Sequence, residues 1–241
     1  AMEEYRQILN EAPKIKPVAA GALYHLGQCL EKSGRRSEAR ASYLAVLKDY
    51  TDQRQAAGAR ARLTNLDDTI SGPLNLSFEQ GPVGKLPPAW FVPALPKDGD
   101  QWAQVRRAGC MERGKCAVVL VPENAPTNAG NLMQSFAAAA YRGKMIRLTA
   151  WLRLEKVDAG DRAQMWLSID RADGKKGFFD NMDNRPVRSA EWTPCQLEAR
   201  VEDDATFVKF GVMSIGRGRV WVDRVSLEVL PTAHSARSTP P

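Results

Sequence analysis

Apolar residues recur with two different periods along this chain. Between residues 2 and 68 they repeat every three or four positions, as in helices with one buried face. Beyond residue 75 they alternate with polar residues, and Gly, Pro and Asn separate the alternating stretches, which is typical of antiparallel strands. The change of period predicts an α + β chain of two domains: helices over 1–68, a linker over 69–74, an antiparallel β-sandwich over 75–230 and a disordered polar tail over 231–241.

The alternation also assigns an inward and an outward face to each predicted strand. Trp151 and Trp166 fall on outward faces, whereas Trp221 shares the phase of inward residues near the C-terminus. If their two strands are neighbours, Trp151 and Trp166 form a flat aromatic platform; if a loop or the helices cover that face, they are simply buried. The residues predicted to face inward are Ile146, Leu148, Ala150, Leu152, Leu154, Met165, Leu167, Ile169, Leu197, Ala199, Val201, Val208, Phe210 and Val212.

Small and aromatic residues in the helical part carry a family resemblance. Leu23, Leu26, Leu30, Ala39, Tyr43 and Val46 sit at the spacing of the tetratricopeptide repeat, which this stretch resembles. Tyr5 resembles the end of a preceding repeat, although it lies 38 positions before Tyr43, against a repeat length of roughly 34. The resemblance implies antiparallel helix pairs that bind a protein partner or, alternatively, have a purely structural role.

The β part is similar to the galactose-binding-like jelly roll of carbohydrate-binding modules, with its first strand in "NLSFEQ", its central strands in "LMQSFAAAAYRGKMIRLTAWLR" and its last in "GRGRVWVDRVSLEV". Sandwich domains of unassigned role that accompany bacterial hydrolases and regulators are similar as well. The resemblance implies a structural Ca²⁺ site, and its side-chain ligands fall on Glu79 and Asp223. Arg224 replaces a second aspartate, so a buried salt bridge from a basic side chain to either carboxylate is the alternative.

The stretch "GFFDNMDNRPV", residues 177–187, concentrates polar and aromatic side chains after a predicted Asp173–Gly174 hairpin turn. In an extended chain Phe178 and Phe179 point to opposite sides. One interpretation is a ligand-reading loop, and the other is a long turn whose Asx side chains cap their own backbone, which still leaves room for it to form the rim of a pocket. The candidate ligand-binding residues are Trp151, Trp166, Phe179, Asp180, Asn181, Asp183 and Arg185.

Catalytic chemistry has few candidate residues here. The two histidines are His25, on a repeat helix, and His234, in the tail, so a nucleophile in the β part has no histidine base. Asp180 and Asp183 are a nominal carboxylate pair for glycoside hydrolysis, but they have the spacing of turn residues. The sequence therefore predicts no catalytic residues and no enzyme activity.

Composition narrows the partners and the compartment. The net charge of +6 comes from 34 basic residues scattered among 28 acidic ones, which favours a charge for solubility over nucleic-acid binding. No stretch approaches the ~20 apolar residues of a membrane span, and the chain shows no export signal. Cys110 and Cys116 flank a predicted tight turn, so they form either a disulfide in an oxidising, periplasmic or secreted setting or two small buried residues.

Three functional hypotheses follow. The first is a non-catalytic binding or scaffolding protein whose helical repeats take a protein partner. The alternative is a glycan-binding accessory module of a larger hydrolase or envelope protein, since sugars stack on aromatic rings while polar side chains meet their hydroxyls. The third hypothesis is an enzyme domain that uses paired carboxylates.

Overall fold

The computed structural model describes residues 1–12, 15–33, 35–66, 71–93, 101–122, 130–172 and 176–231. Its helices come first and its strands follow, as the change of period predicts. The predicted Asp173–Gly174 turn and the predicted disordered tail beyond residue 231 lie outside the described residues. None of the helices found in the described part of the chain is long and apolar enough to cross a membrane.

Four helices form the N-terminal part, and successive helices contact each other. Tyr43 is the centre of their core: its side chain is 0% exposed and lies against Gly27, where an added Cβ would come within 2.5 Å of the ring. The phenol donates a hydrogen bond of 2.8 Å to Glu31, which also accepts from Arg62 at 2.6 Å. The helices are α1 (Met2–Glu11), α2 (Lys16–Lys32), α3 (Arg36–Asp49) and α4 (Gln55–Leu66).

A tetratricopeptide array is not evident in these four short helices. In a repeat, Tyr5 and Tyr43 would occupy equivalent environments. Tyr43 is instead fully buried, whereas Tyr5 is half-buried and stacks on His25 with ring centroids 5.8 Å apart. The spacing that resembles a repeat reflects close packing of α2 on α3. The prediction of a protein partner depended on a repeat surface and is therefore not supported.

Nine strands in the described residues form two antiparallel sheets. The five-stranded sheet has the order β1-β2-β9-β4-β7, and the four-stranded sheet has the order β3-β8-β5-β6. Most connections cross from one sheet to the other, which produces a jelly-roll sandwich and confirms the predicted antiparallel β-sandwich. The strands are β1 (Ala103–Arg106), β2 (Cys116–Val119), β3 (Gly130–Ala137), β4 (Met145–Glu155), β5 (Arg162–Arg171), β6 (Lys176–Asp180), β7 (Thr193–Arg200), β8 (Ala205–Ile215) and β9 (Arg219–Val229).

The apolar core lies between the two sheets. All the residues predicted to face inward from β4, β5, β7 and β8 are buried, as is Val201 just beyond β7. The predicted first strand is wrong: residues 75–90 form turns, and Asn75 is the reason. Its side chain accepts from the backbone N–H of Gln80 at 3.0 Å and donates to the carbonyl of Pro88 at 3.0 Å, so this segment folds back on itself. It still contributes Phe78 and Trp90 to the core.

The helices meet the sandwich at its edge strand β3, which α4 contacts. The segment between them is fixed by Gln134 of β3, a buried amide whose oxygen accepts from the backbone N–H of Leu74 at 3.0 Å and whose nitrogen donates to the Leu74 carbonyl. Because both polar groups of the amide are used, this clamp satisfies a buried side chain and also holds the connection.

Cys110 and Cys116 form the disulfide that was one of the two alternatives for this pair. It closes a short loop, here called the disulfide loop (residues 110–116). Closing a loop of this size lowers the conformational entropy of the unfolded chain, which raises the free energy of unfolding by about 2 kcal/mol. We expect the double variant Cys110→Ser/Cys116→Ser to lose that much unfolding free energy in urea titrations, while Cys29→Ser, which removes a free, half-buried thiol, stays near the wild type. Equal stability of the double variant would contradict the expectation.

Candidate functional site

The two tryptophans of the predicted platform lie on opposite sides of the sandwich. Trp151 belongs to β4 in the five-stranded sheet, and Trp166 belongs to β5 in the four-stranded sheet. Both face outward, as predicted, but the connection between their strands crosses between the sheets. They therefore form no common surface, and the platform hypothesis is wrong.

Trp166 is only 7% exposed, although it lies on the outward face of its strand. Its indole N–H donates to Asn131 Oδ1 at 3.1 Å, and Gly211 of the neighbouring strand leaves the space that the ring occupies. Phe91 and Met133 pack with it in a small apolar cluster outside the main core. Burial on this outward face makes Trp166 a packing residue, which was the alternative interpretation.

Trp221, predicted to face inward, is half-buried on the outward face of the five-stranded sheet. The pairing of β4 with β9 shifts register between Thr149 and Trp151, and Arg224 takes a positive φ of 50°. This bulge reverses the alternation, so the phase of the later residues does not extend back to Trp221. The guanidinium of Arg153 lies over the rings of Trp192 and Trp221, at 5.4 and 4.5 Å from their centroids.

The loop that follows β6 is a turn stabilised by its own side chains. Asp180 Oδ1 accepts from the backbone N–H of Met182 at 2.8 Å, and Asn181 Oδ1 accepts from that of Asp183 at 3.3 Å. Arg185 donates to Asp180 Oδ2 at 2.6 Å and so closes the turn. The structure therefore agrees with the interpretation of a turn capped by its own side chains. We call residues 180–185 the braced loop.

Two contacts join the braced loop to the four-stranded sheet. Asp183 Oδ1 accepts from Gln164 of β5 at 3.2 Å, which ties the loop to the outward face of that strand. Phe178 packs against the core, and Phe179 points outward and is 49% exposed, with the ammonium of Lys176 4.1 Å from its ring centroid. Phe179 is the one candidate aromatic among Trp151, Trp166 and Phe179 whose ring is largely open to solvent.

The braced loop forms the rim of a cavity of about 370 Å³, here called the edge cavity. The cavity lies between the segment that leaves the loop and β7, the edge strand of the other sheet. Its floor and walls combine apolar groups, such as Val187, Pro194 and the buried thiol of Cys195, with polar ones. The polar side chains are Arg185, Arg188, Ser189, Thr193 and Gln196.

The electrostatics of the edge cavity are set by two arginines. Partial burial favours the neutral form of Asp180, but the hydrogen bonds from Arg185 and Met182 outweigh it and hold the pKa of this carboxyl below its usual range. Arg185 is thereby neutralised. Within the described residues, the Arg188 guanidinium donates one long hydrogen bond, of 3.5 Å, to the Asp161 carbonyl. Burial raises the pKa of the Cys195 thiol to about 12, so it stays protonated.

The predicted calcium ligands Glu79 and Asp223 both bind the disulfide loop instead. Glu79 Oε1 accepts from the backbone N–H of Lys115 at 2.7 Å, and Asp223 Oδ2 accepts from that of Met111 at 2.9 Å. The backbone carbonyl oxygens of Glu79 and Gly81 accept from the Lys115 ammonium at 2.8 and 2.9 Å. With these oxygens used by protein donors, the residues present do not fit a calcium ion.

The alternative, a salt bridge from a basic side chain to the carboxylate of Glu79 or Asp223, is not found among the described residues either. Arg224, the predicted base, pairs with Glu112 at 2.9 Å rather than with Glu79 or Asp223. Lys115 lies beside Glu79, but its ammonium donates to the Glu79 backbone carbonyl, and its backbone N–H is the group that meets the carboxylate. Nothing in the sequence singled out Lys115, because it precedes a strand within an ordinary polar turn.

The nominal carboxylate pair is not arranged for acid–base work. Asp180 is paired with Arg185, and Asp183 accepts from Gln164, so both carboxylates stabilise the turn. General acid catalysis needs a carboxyl whose pKa is raised, whereas that of Asp180 is lowered. His25 lies on α2, where it contacts Gln28 at 2.9 Å and stacks on Tyr5.

Comparison with known proteins gives a partial match and a distant likeness. No protein-family model matches this chain. The uncharacterized HTH-type transcriptional regulator YbfP of Bacillus subtilis (strain 168) is 34% identical over 98 residues, which cover 40% of this chain and 32% of that protein. The match thus spans about a third of the length of this curated relative.

Among solved structures, the chain is similar in fold to carbohydrate-binding modules. The CBM22-1 xylan-binding domain of Paenibacillus barcinonensis Xyn10C has a TM-score of 0.47 at 13% identity and covers 65% of this chain and 93% of its own. The C-terminal family 22 carbohydrate binding module of Clostridium thermocellum Xyn10B has a TM-score of 0.47 at 14% identity and covers 68% of this chain and all of its own. Both TM-scores lie below 0.5.

Proposed function

We propose that this protein binds carbohydrate in the edge cavity, as a non-catalytic module. The observation that carries the proposal is the braced loop beside the cavity: its side chains are fixed by their own hydrogen bonds before any ligand arrives. A pre-organised polar rim loses little conformational entropy on binding, which is the usual limit on the affinity of a small polar ligand. Apolar walls next to amide, hydroxyl and guanidinium groups suit the alternating C–H and O–H surface of a sugar ring.

The charge of the edge cavity favours a sugar that bears a carboxylate. Its described lining residues include Arg185 and Arg188 and no aspartate or glutamate. Because Asp180 neutralises Arg185, the arginine available to a ligand is Arg188. A guanidinium meets a planar carboxylate with two parallel hydrogen bonds, which neutral sugar hydroxyls do not offer. A uronic-acid oligosaccharide is therefore the class of ligand we propose.

Titration calorimetry with an oligogalacturonide and a neutral xylo-oligosaccharide tests this proposal. We expect the acidic sugar to bind more tightly, and Arg188→Ala to weaken its binding at least about tenfold, since a charge-assisted hydrogen bond contributes about 1.5–3 kcal/mol. The matched control is Arg171→Ala, which removes an arginine paired with Asp204 at the opposite end of β5. Its affinity is expected to equal that of the wild type.

The possible results separate the parts of the proposal. Equal binding of both sugars, with no effect of Arg188→Ala, overturns the acidic class. Glycan binding that is insensitive to Arg185→Ala and Arg188→Ala alike excludes the edge cavity. Failure of the wild type to bind any member of a broad glycan panel overturns carbohydrate recognition itself.

The disulfide also bears on the compartment. A disulfide persists in oxidising surroundings, so the Cys110–Cys116 bond supports the periplasmic or secreted setting proposed for this module. We also propose that this module is an accessory part of a larger hydrolase or of an envelope protein.

A further inference from the structure

Lys115 makes three hydrogen bonds to one short stretch of chain. Its ammonium donates to the carbonyl oxygens of Glu79 and Gly81, at 2.8 and 2.9 Å, and its backbone N–H donates to the Glu79 carboxylate at 2.7 Å. Two carbonyl oxygens that converge on one point are the kind of hard oxygen donors that a cation takes in proteins. In this chain the cation is the end of a side chain.

The backbone around Lys115 is shaped for this contact. Gly114 has a φ of 130°, and a Cβ added to it would lie 2.4 Å from Glu79 Oε1. Gly81 has a φ of 91°, which turns the chain so that its carbonyl and that of Glu79 meet the same ammonium. Glycine is needed at both positions because side chains with a Cβ rarely take such φ values.

The disulfide loop links the Lys115 contacts to the last strand, β9. Asp223 of β9 is 6% exposed; its Oδ2 accepts from the Met111 N–H at 2.9 Å, and its Oδ1 accepts from the Arg224 N–H at 2.7 Å. Cys116 begins β2, which pairs with β9. The segment at Glu79 is thus linked through Lys115 to the disulfide loop, and the loop is linked to β9 at its other end.

We propose that the Lys115 ammonium is a built-in cation that does the work of a bound metal ion. It fills the carbonyl site between residues 79 and 81 and joins the first segment of the sandwich to β9. The wild-type chain accordingly needs no divalent ion at this position. This inference is independent of the edge cavity and of any glycan.

Thermal unfolding in 5 mM EDTA and in 5 mM CaCl₂ tests the proposal on four proteins. The wild type is expected to have the same Tm in both. Lys115→Met keeps the length of the side chain but leaves two carbonyls without their donor, and is expected to lower the Tm by about 5 °C in both buffers. Lys115→Ala leaves room for an ion, so its Tm falls similarly in EDTA and recovers in CaCl₂. Lys144→Met is the control, because Lys144 bonds a single carbonyl, that of Ala140, on the surface.

Each contrary result overturns the proposal. A wild-type Tm that rises in CaCl₂ relative to EDTA shows that a metal site exists beside Lys115. A Lys115→Ala variant as stable as Lys144→Met shows that the ammonium has no anchoring role, and one that loses stability without responding to Ca²⁺ shows that the carbonyls are no cation site. If the variants fail to fold, calcium titration of the wild-type protein by calorimetry still decides, since tight calcium binding is incompatible with an occupied site.

Discussion

Replacing Asp161 with alanine is expected to lower the free energy of unfolding by about 4 kcal/mol, because it leaves three backbone N–H groups without the charged acceptor that they share. Asp161 is 1% exposed. Its Oδ2 accepts from Val157 and Asp158, each at 2.8 Å, and its Oδ1 accepts from Arg217 at 2.8 Å. The carboxylate thereby joins the turn between β4 and β5 to the turn between β8 and β9. Urea titration of both proteins measures the difference.

The control for this change is Asp158→Ala, three residues away. Asp158 is exposed, and its backbone N–H, which Asp161 needs, is kept in the variant. We expect a change within about 0.5 kcal/mol, as for most surface substitutions. Equal losses in both variants would mean that the buried acceptor contributes nothing specific.

The effect of Asp161 also depends on pH. Burial favours the neutral carboxyl, but the backbone N–H groups of Asp158, Val157 and Arg217, with that of Gly218, outweigh it and lower the pKa of Asp161. A pKa that is lower in the folded than in the unfolded chain contributes stability above the unfolded value, and that contribution is lost as the pH falls through the folded value. The difference between wild type and Asp161→Asn should therefore be constant near neutral pH and shrink below about pH 4. A difference that grows on acidification would contradict the assignment.

The motif "GRGR" shows what the sequence can and cannot reveal about such a site. Its glycines resemble those of an anion-binding turn, and their position before a strand excludes a phosphate loop. In the structure Gly216 has a φ of 104°, and a Cβ added to it would lie 2.0 Å from Asp161 Oδ1. The turn does hold an anion, the carboxylate of Asp161. The partner is 55 residues away in the chain, and no local pattern connects the two.

The inward faces of the strands were predictable because alternation is a local property. Burial of Leu148 or Leu167 requires only that the strand has one apolar side, whichever strands lie next to it. The platform of Trp151 and Trp166 required the identity of the neighbours as well. That depends on where the chain crosses between sheets, which the pattern of β4 and β5 does not contain.

Breaks in the regular pattern explain the remaining errors. Trp221 was assigned across the bulge at Arg224, where alternation stops being informative. The stretch after Asn75 resembles the first strand of the jelly-roll family, but the side chain of Asn75 offers the backbone hydrogen bonds that compete with sheet pairing. The braced loop was anticipated because Asx turns are built from residues two positions apart. The same stretch also allows a pocket rim, but the sequence does not identify the opposite wall of the edge cavity, because β7 belongs to the other sheet.

Gly211→Ala is expected to lower the free energy of unfolding by about 3 kcal/mol, since overpacking a filled site moves backbone as well as side chains. A Cβ at position 211 would lie 2.5 Å from the carbonyl oxygen of Leu132, 2.8 Å from the Cβ of Met133 and 2.9 Å from the indole nitrogen of Trp166. The backbone φ of Gly211 is not positive, so the cost is steric. The control Gly160→Ala meets no atom within 4 Å and should leave the stability nearly unchanged.

A steric clash in Gly211→Ala should also disturb the indole ring of Trp166. If the new methyl group displaces the indole, the hydrogen bond from Trp166 to Asn131 is lost, and the indole N–H resonance of Trp166 should shift strongly in an ¹⁵N-correlated spectrum. Removing the ring first, in Trp166→Ala, should relieve part of the clash, so the two changes together should cost less than their sum. If the two changes are additive and the indole resonance does not move, the methyl group clashes with Leu132 and Met133 alone. Gly211 would then have no role in positioning Trp166.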